Sequence, residues 1–205
     1  MHTNSRPAEP DLVLLDAHAV RVGLDLLTKA TPDDLTKPTP CAAWTLYGLL
    51  AHMATQNHGF AAAARGEASP DHWKPLPLGD RPFDAYRESA EAVLAAFAAD
   101  DALERSFLLH EFSADHRFPA EQAIGFHLVD YVVHAWDVAR TLGLTVEFDP
   151  DIVAVAHGIV EGVPAEARLA PGAAFGPEVP WSGGTPLDRL VAFLGRSPSW
   201  PDRKH

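Results

Sequence analysis

A chain of 205 residues, 47% of them hydrophobic, suits one domain that can bury a sizeable core. Its 28 acidic and 16 basic residues leave a formal charge of -12, a field that repels phosphate backbones, and no Lys/Arg stripe with interleaved aromatics appears, so nucleic acid is not an expected partner. A lone cysteine, Cys41, forms no disulfide within the chain, Met1 to Pro10 lacks the layout of a signal peptide, and no apolar run approaches about 18 residues, so a cytoplasmic protein without a membrane span is expected.

A first helix is predicted from Asp11, its cap, to about Lys29, with Leu12, Leu15, Val20, Leu24 and Leu27 recurring at helical spacing. Three prolines in residues 31–40 end it. Thr45 is placed to cap a second helix, whose apolar face is Leu46, Leu49, Leu50, Met53 and Ala54, with Gly66 as its stop. Residues 67–82 read as a loop, and an alanine-rich third helix follows from about Pro82 to Ala99. Residues 105–118 stay open between a short strand and an extended loop, with Phe107, Leu109 and Phe112 as their apolar members. Pro119 is the expected first position of a fourth helix running to about Leu142, with Gly143 behind it. A fifth helix starts at Asp149-Pro150 and runs to about Glu161. About twenty residues rich in Gly, Pro and Ala (163–184) precede a short last helix, Leu187 to Leu194. The fold class is therefore mainly α, an irregular helical bundle.

Chemistry concentrates in the fourth helix. Asp130 and His134 stand four apart, so both side chains point one way, about a turn from each other, and can reach one ion. A plain hydrogen bond between the two is the competing reading of that spacing. His127 lies two turns before His134, about 10 Å along the axis, so it suits a supporting or pocket-lining place better than the same ion. A third ligand must come from another element, and His52, inside the apolar run Leu49 to Ala54, is the candidate. A core histidine bonded to a backbone carbonyl competes with that role. Gln56, one turn on, and His58 are candidates to line the same cavity. Asp137 and Arg140 either support the site, Asp137 by orienting an imidazole, or form an ion pair at the helix end. A His/Asp/His set leaves an open coordination position, the pattern of catalytic rather than structural sites. Trp44 and Trp136 are expected in the core, and Cys41 is expected to be a buried, inert thiol.

Three segments carry a resemblance: Pro38-Thr-Pro-Cys-Ala-Ala-Trp-Thr-Leu-Tyr-Gly-Leu-Leu-Ala-His52, continuing to Arg65-Gly66; Leu128-Val-Asp-Tyr-Val-Val-His-Ala-Trp-Asp-Val-Ala-Arg140; and Phe175-Gly-Pro-Glu-Val-Pro180 with Pro186 to Arg196. Through them the chain resembles the DinB-like metal-binding helical bundles, in the actinobacterial group related to mycothiol-dependent maleylpyruvate isomerase. The resemblance implies an up-and-down four-helix bundle over residues 1–205, with 150–205 as a C-terminal extension packed on it. It implies a divalent metal, zinc first and nickel, iron or manganese as alternatives, held by His52, Asp130 and His134. Many relatives carry histidine or glutamate where this chain has the shorter Asp130, which ligates directly or through a water. The implied partners are a low-molecular-weight thiol such as mycothiol and a small electrophile, in isomerase or transferase chemistry by a monomer or homodimer. A thiol-independent metal hydrolase and a non-catalytic metal- or ligand-binding protein are the alternatives.

Overall fold

A computed structural model of the chain describes residues 11–42, 44–164 and 175–201. Helix α1, Leu12–Leu27, begins where the Asp11 carboxylate accepts the Val13 and Leu14 amides at 3.0 and 3.2 Å. The proline-rich stretch after it holds one turn of 3-10 helix, Pro32–Thr36, and no longer helix. Helix α2, Leu46–Ala64, starts at Thr45, whose hydroxyl accepts the Gly48 amide. It stops at Gly66, which takes a φ of 83° that residues with a Cβ rarely adopt. The loop expected at 67–82 contains a short 3-10 turn, Pro70–Trp73. Helix α3 follows at Pro82–Phe97.

The open stretch resolves as a hairpin. Strand β1, Ser106–Leu108, pairs antiparallel with β2, Arg117–Pro119, placing Phe107 opposite Phe118. Pro119 is therefore not the first helical residue: it closes β2 and caps helix α4, Ala120–Thr141. A proline lacks an N–H, so it suits the end of a strand as well as the mouth of a helix. Gly143, at φ 70°, ends the chain's run through α4. Helix α5 spans Pro150–Glu161 and α6 Pro186–Phe193, the latter closed at its start by reciprocal bonds between Thr185 and Asp188. Met1 to Pro10 and part of the 163–184 loop lie outside the described residues.

The long pairings are α1 with α4 and α2 with α3; the two pairs meet along α2–α4 and α1–α3. Consecutive helices α1 and α2 share little contact, which refines the up-and-down order expected from the sequence. Helix α5 packs on α4, and α6 on α5. One apolar core, around Leu49, Leu50, Met53, Leu128, Val132 and Leu190, fills the space between α1, α2, α4 and the C-terminal helices. A second, around Phe60, Val93, Phe97, Phe107 and Ile124, seats the hairpin. Among the described residues no helix is long and apolar enough to cross a membrane.

Candidate metal centre

The α2–α4 seam brings His52 on α2 to the Asp130–His134 pair on α4. One ligand atom each from His52, Asp130 and His134 lies within 4.8 Å of the others. Apolar packing on both helices fixes the meeting: Leu49, Leu50 and Met53 flank His52, and Tyr131, Val132, Val133 and Ala135 surround the α4 pair, all of them buried. His134 Nε2 stands 3.2 Å from Asp130 Oδ1, and its Nδ1 stands 2.9 Å from Asp137 Oδ2. Arg196 donates to the same Asp137 oxygen at 3.2 Å. Nδ1 thus faces a carboxylate, leaving Nε2 as the nitrogen turned to the centre. His134 is buried, whereas His52 and Asp130 are half-buried, so the cluster keeps one side toward solvent.

Trp44 covers part of that side. Its ring stacks on His52 with centroids 4.4 Å apart and lies 6.2 Å from His134. The loop before α2 holds it there: the Thr39 hydroxyl donates to the Trp44 carbonyl at 3.0 Å, and the Leu46 amide bonds Lys37 at 2.9 Å.

Burial pushes His52 down to about 4, outweighing the upward pull of Asp130, so the imidazole is neutral with a free lone pair. Burial alone would lower His134 as well. Asp130 and Asp137 reverse this and lift it to about 9. Burial opposes ionisation of Asp130, yet His134 beside it holds the carboxyl far below the usual range. The second Asp130 oxygen, Oδ2, is buried with no hydrogen-bond partner. A buried carboxylate with an unsatisfied oxygen, on the residue that converges with two imidazoles, is a donor set that fits a divalent cation.

The other expected residues divide. Gln56 is buried one turn after His52, and Asp137 supports His134. His127 has no hydrogen bond to the cluster: it bonds Asp16 at 2.7 Å and Asn57 at 3.3 Å and stacks on Tyr131, all inside the core. Arg140 donates to the carbonyls of Pro198 and Trp200, tying α4 to the chain's end rather than to Asp137. Cys41 is half-buried instead of buried, and Trp44 is a wall of the site rather than core. An apolar groove of about 750 Å³ between α4 and α5, lined by Phe126, Val155 and Ile159, contains none of these groups.

Sequence reasoning missed Glu111. It sits in the turn between β1 and β2 and is exposed as a whole residue, yet protein crowds its carboxyl. That crowding pushes it up to about 7; Asp130 adds to the rise, and Gln56 and His134 oppose it. Nothing local marks Glu111, since its position depends on how the hairpin folds back on α2. Arg196 stood only at the end of a resembling segment.

Residues 17–139 match the family described as mycothiol maleylpyruvate isomerase N-terminal domain, well over half of the chain. The chain belongs to that family. Two curated relatives from strains of Mycobacterium tuberculosis, both described as uncharacterized, are 30% identical over 173 residues, covering 84% of this chain and 90% of theirs. Among solved structures, this mycothiol maleylpyruvate isomerase family member is similar to the mycothiol-dependent maleylpyruvate isomerase, with a TM-score of 0.54 at 18% identity, and to its histidine-to-alanine mutant, at 0.57 and 17%. Each match covers 73% of this chain and 66% of the other, so the shared fold spans just under two thirds of those proteins.

Proposed function

We propose that this chain is a metal-dependent enzyme that uses a low-molecular-weight thiol, mycothiol or a close analogue, to act on a small electrophile by isomerase or S-transferase chemistry. His52, Asp130 and His134 hold the ion, zinc being the first candidate for this donor set. One observation carries the reading: ligand atoms of two imidazoles and the Asp130 carboxylate converge within 4.8 Å, with His52 and Asp130 only half-buried. Family membership supports the thiol, since the solved relative is mycothiol-dependent.

A divalent ion in this place supplies Lewis acidity, which favours a thiolate over a thiol at neutral pH. The chain's own residues do the rest. Asp137 holds the Nδ1 proton of His134 and so presents Nε2 to the centre, while Arg196 fixes Asp137. Trp44 braces His52 and keeps water from that face. The reaction belongs in the cytoplasm, where thiols stay reduced. Residues 1–205 act as one unit, because Arg196 reaches from the C-terminal extension to Asp137 on α4.

The test is turnover of activated alkenes with and without mycothiol, in the wild type and in His134→Ala. Thiol-dependent turnover that disappears in the variant supports the reading. Equal turnover by the variant, or turnover that needs no thiol, overturns it.

A further inference from the structure

The two imidazoles of the centre are held by different means. His134 has the Asp137 carboxylate on its Nδ1 at 2.9 Å, a bond that orients the ring. Among the described residues no hydrogen bond holds the His52 ring. The Trp44 indole lies against it instead, centroids 4.4 Å apart and planes 24° from parallel. The two histidine rings meet nearly at right angles, 80°, with centroids 5.3 Å apart. An imidazole lone pair lies in the plane of its ring, so whatever fixes that plane aims the nitrogen.

The stack is built into the sequence. Trp44, Gly48 and His52 follow one another at intervals of four, so the indole lies back over the first turn of α2, along the face that carries His52. Gly48 makes room for it. A Cβ added there would stand 3.2 Å from the Trp44 Cβ and 3.3 and 3.4 Å from its Cδ1 and Cγ, closer than ordinary packing allows. The loop side is fixed as well. The Trp44 amide bonds the Cys41 carbonyl at 2.9 Å, the amide of buried Thr39 bonds the Trp44 carbonyl at 3.3 Å, and Pro38 pairs with Thr45 in an isolated bridge.

We propose that Trp44, seated on Gly48, is the positioning residue for His52 and raises the affinity of the centre for its metal; the assignment rests on the metal reading given above. Two effects act together. The indole holds the imidazole plane before the ion arrives, which removes the cost of ordering a free side chain. Once the nitrogen shares its lone pair with a cation, the ring becomes electron-poor, and the electron-rich indole face attracts such a ring more strongly than the free one. The stack is therefore tighter with metal than without it, and by linkage it tightens metal binding. The competing role for a residue just before a helix cap is an apolar staple, which would support the fold equally in both states.

The test measures two quantities: zinc affinity, by competition with a chromophoric chelator, and the unfolding midpoint of the metal-free protein. The proteins are the wild type, Trp44→Phe, Trp44→Leu and Gly48→Ala. Trp44→Leu is expected to bind zinc about 10–100-fold more weakly, and Trp44→Phe, which keeps an aromatic face, to recover part of the loss. Gly48→Ala keeps the indole but displaces it, and is expected to bind more weakly than the wild type. A lowered midpoint with wild-type affinity in Trp44→Leu overturns the proposal and leaves Trp44 as a staple. Equal losses in the Phe and Leu variants overturn it too, since bulk rather than an aromatic face would then be what matters. If Trp44→Leu does not fold, Gly48→Ala takes its place: weaker binding supports the proposal and wild-type binding overturns it. Should the wild type take up no zinc, the metal reading itself falls, whereas equal zinc binding by all four proteins removes the role of Trp44 alone.

Discussion

With Asp130 on one ring nitrogen and Asp137 on the other, His134 keeps its proton up to about 9, so protons and metal compete for Nε2. His52, neutral above about 4, gives up none. Near pH 7 metal binding is expected to release about one proton, and apparent affinity to fall about tenfold per pH unit below 9. Calorimetry in two buffers measures it; pH-independent affinity between 6 and 8 contradicts it. The sign for the metal-free fold is opposite. A histidine raised above its ordinary 6.5 contributes stability that is complete below that value and lost as pH rises through about 9. The Asp130–His134 pair was legible because its geometry is local, one turn of one helix. His52 became a ligand candidate only through its place in the apolar run Leu49 to Ala54 and through resemblance, and the Asp16–His127 bond, 111 residues apart in sequence, left no local trace.

Elements were read well where side chains cap or break helices. Asp11, Thr45 and Gly66 do what their chemistry predicts. Thr45→Ala is expected to cost about 1 kcal/mol, read by thermal or denaturant unfolding. An unchanged midpoint would show that the loop bonds before α2 fix its start without the hydroxyl. Gly59 is a different case. It lies inside α2, where glycine is unfavourable, because the Trp73 ring covers its face and an added Cβ would come within 2.5 Å of it. Gly59→Ala is expected to destabilise by about 1–3 kcal/mol and to shift Trp73 fluorescence; a more stable variant would contradict that packing. The hairpin was left open because strands of three residues carry too little periodicity, and the place of Glu111 was hidden with it.

At the scale of the molecule, the C-terminal extension is tied to the chemistry. Arg196, behind α6 and buried, reaches Asp137 on α4, and Arg140 on α4 holds the carbonyls of Pro198 and Trp200 in return. Arg196→Ala is expected to weaken metal affinity about 10–100-fold, with partial recovery in Arg196→Lys, measured by competition with a chromophoric chelator. Affinity equal to the wild type would reduce the Arg196–Asp137 bond to a structural tie. Composition and helical periodicity gave the bundle, but the order in which helices pair, α1 with α4 and α2 with α3, depends on tertiary packing that periodicity does not encode.

The most direct measurement is the metal content of protein purified without a histidine tag or added chelator, beside His52→Ala. About one equivalent of divalent metal, lost in the variant while its helical content stays unchanged, is the expected result. Native protein that takes up no zinc or nickel even in excess would contradict the central claim and leave His52, Asp130 and His134 as a hydrogen-bonded structural cluster.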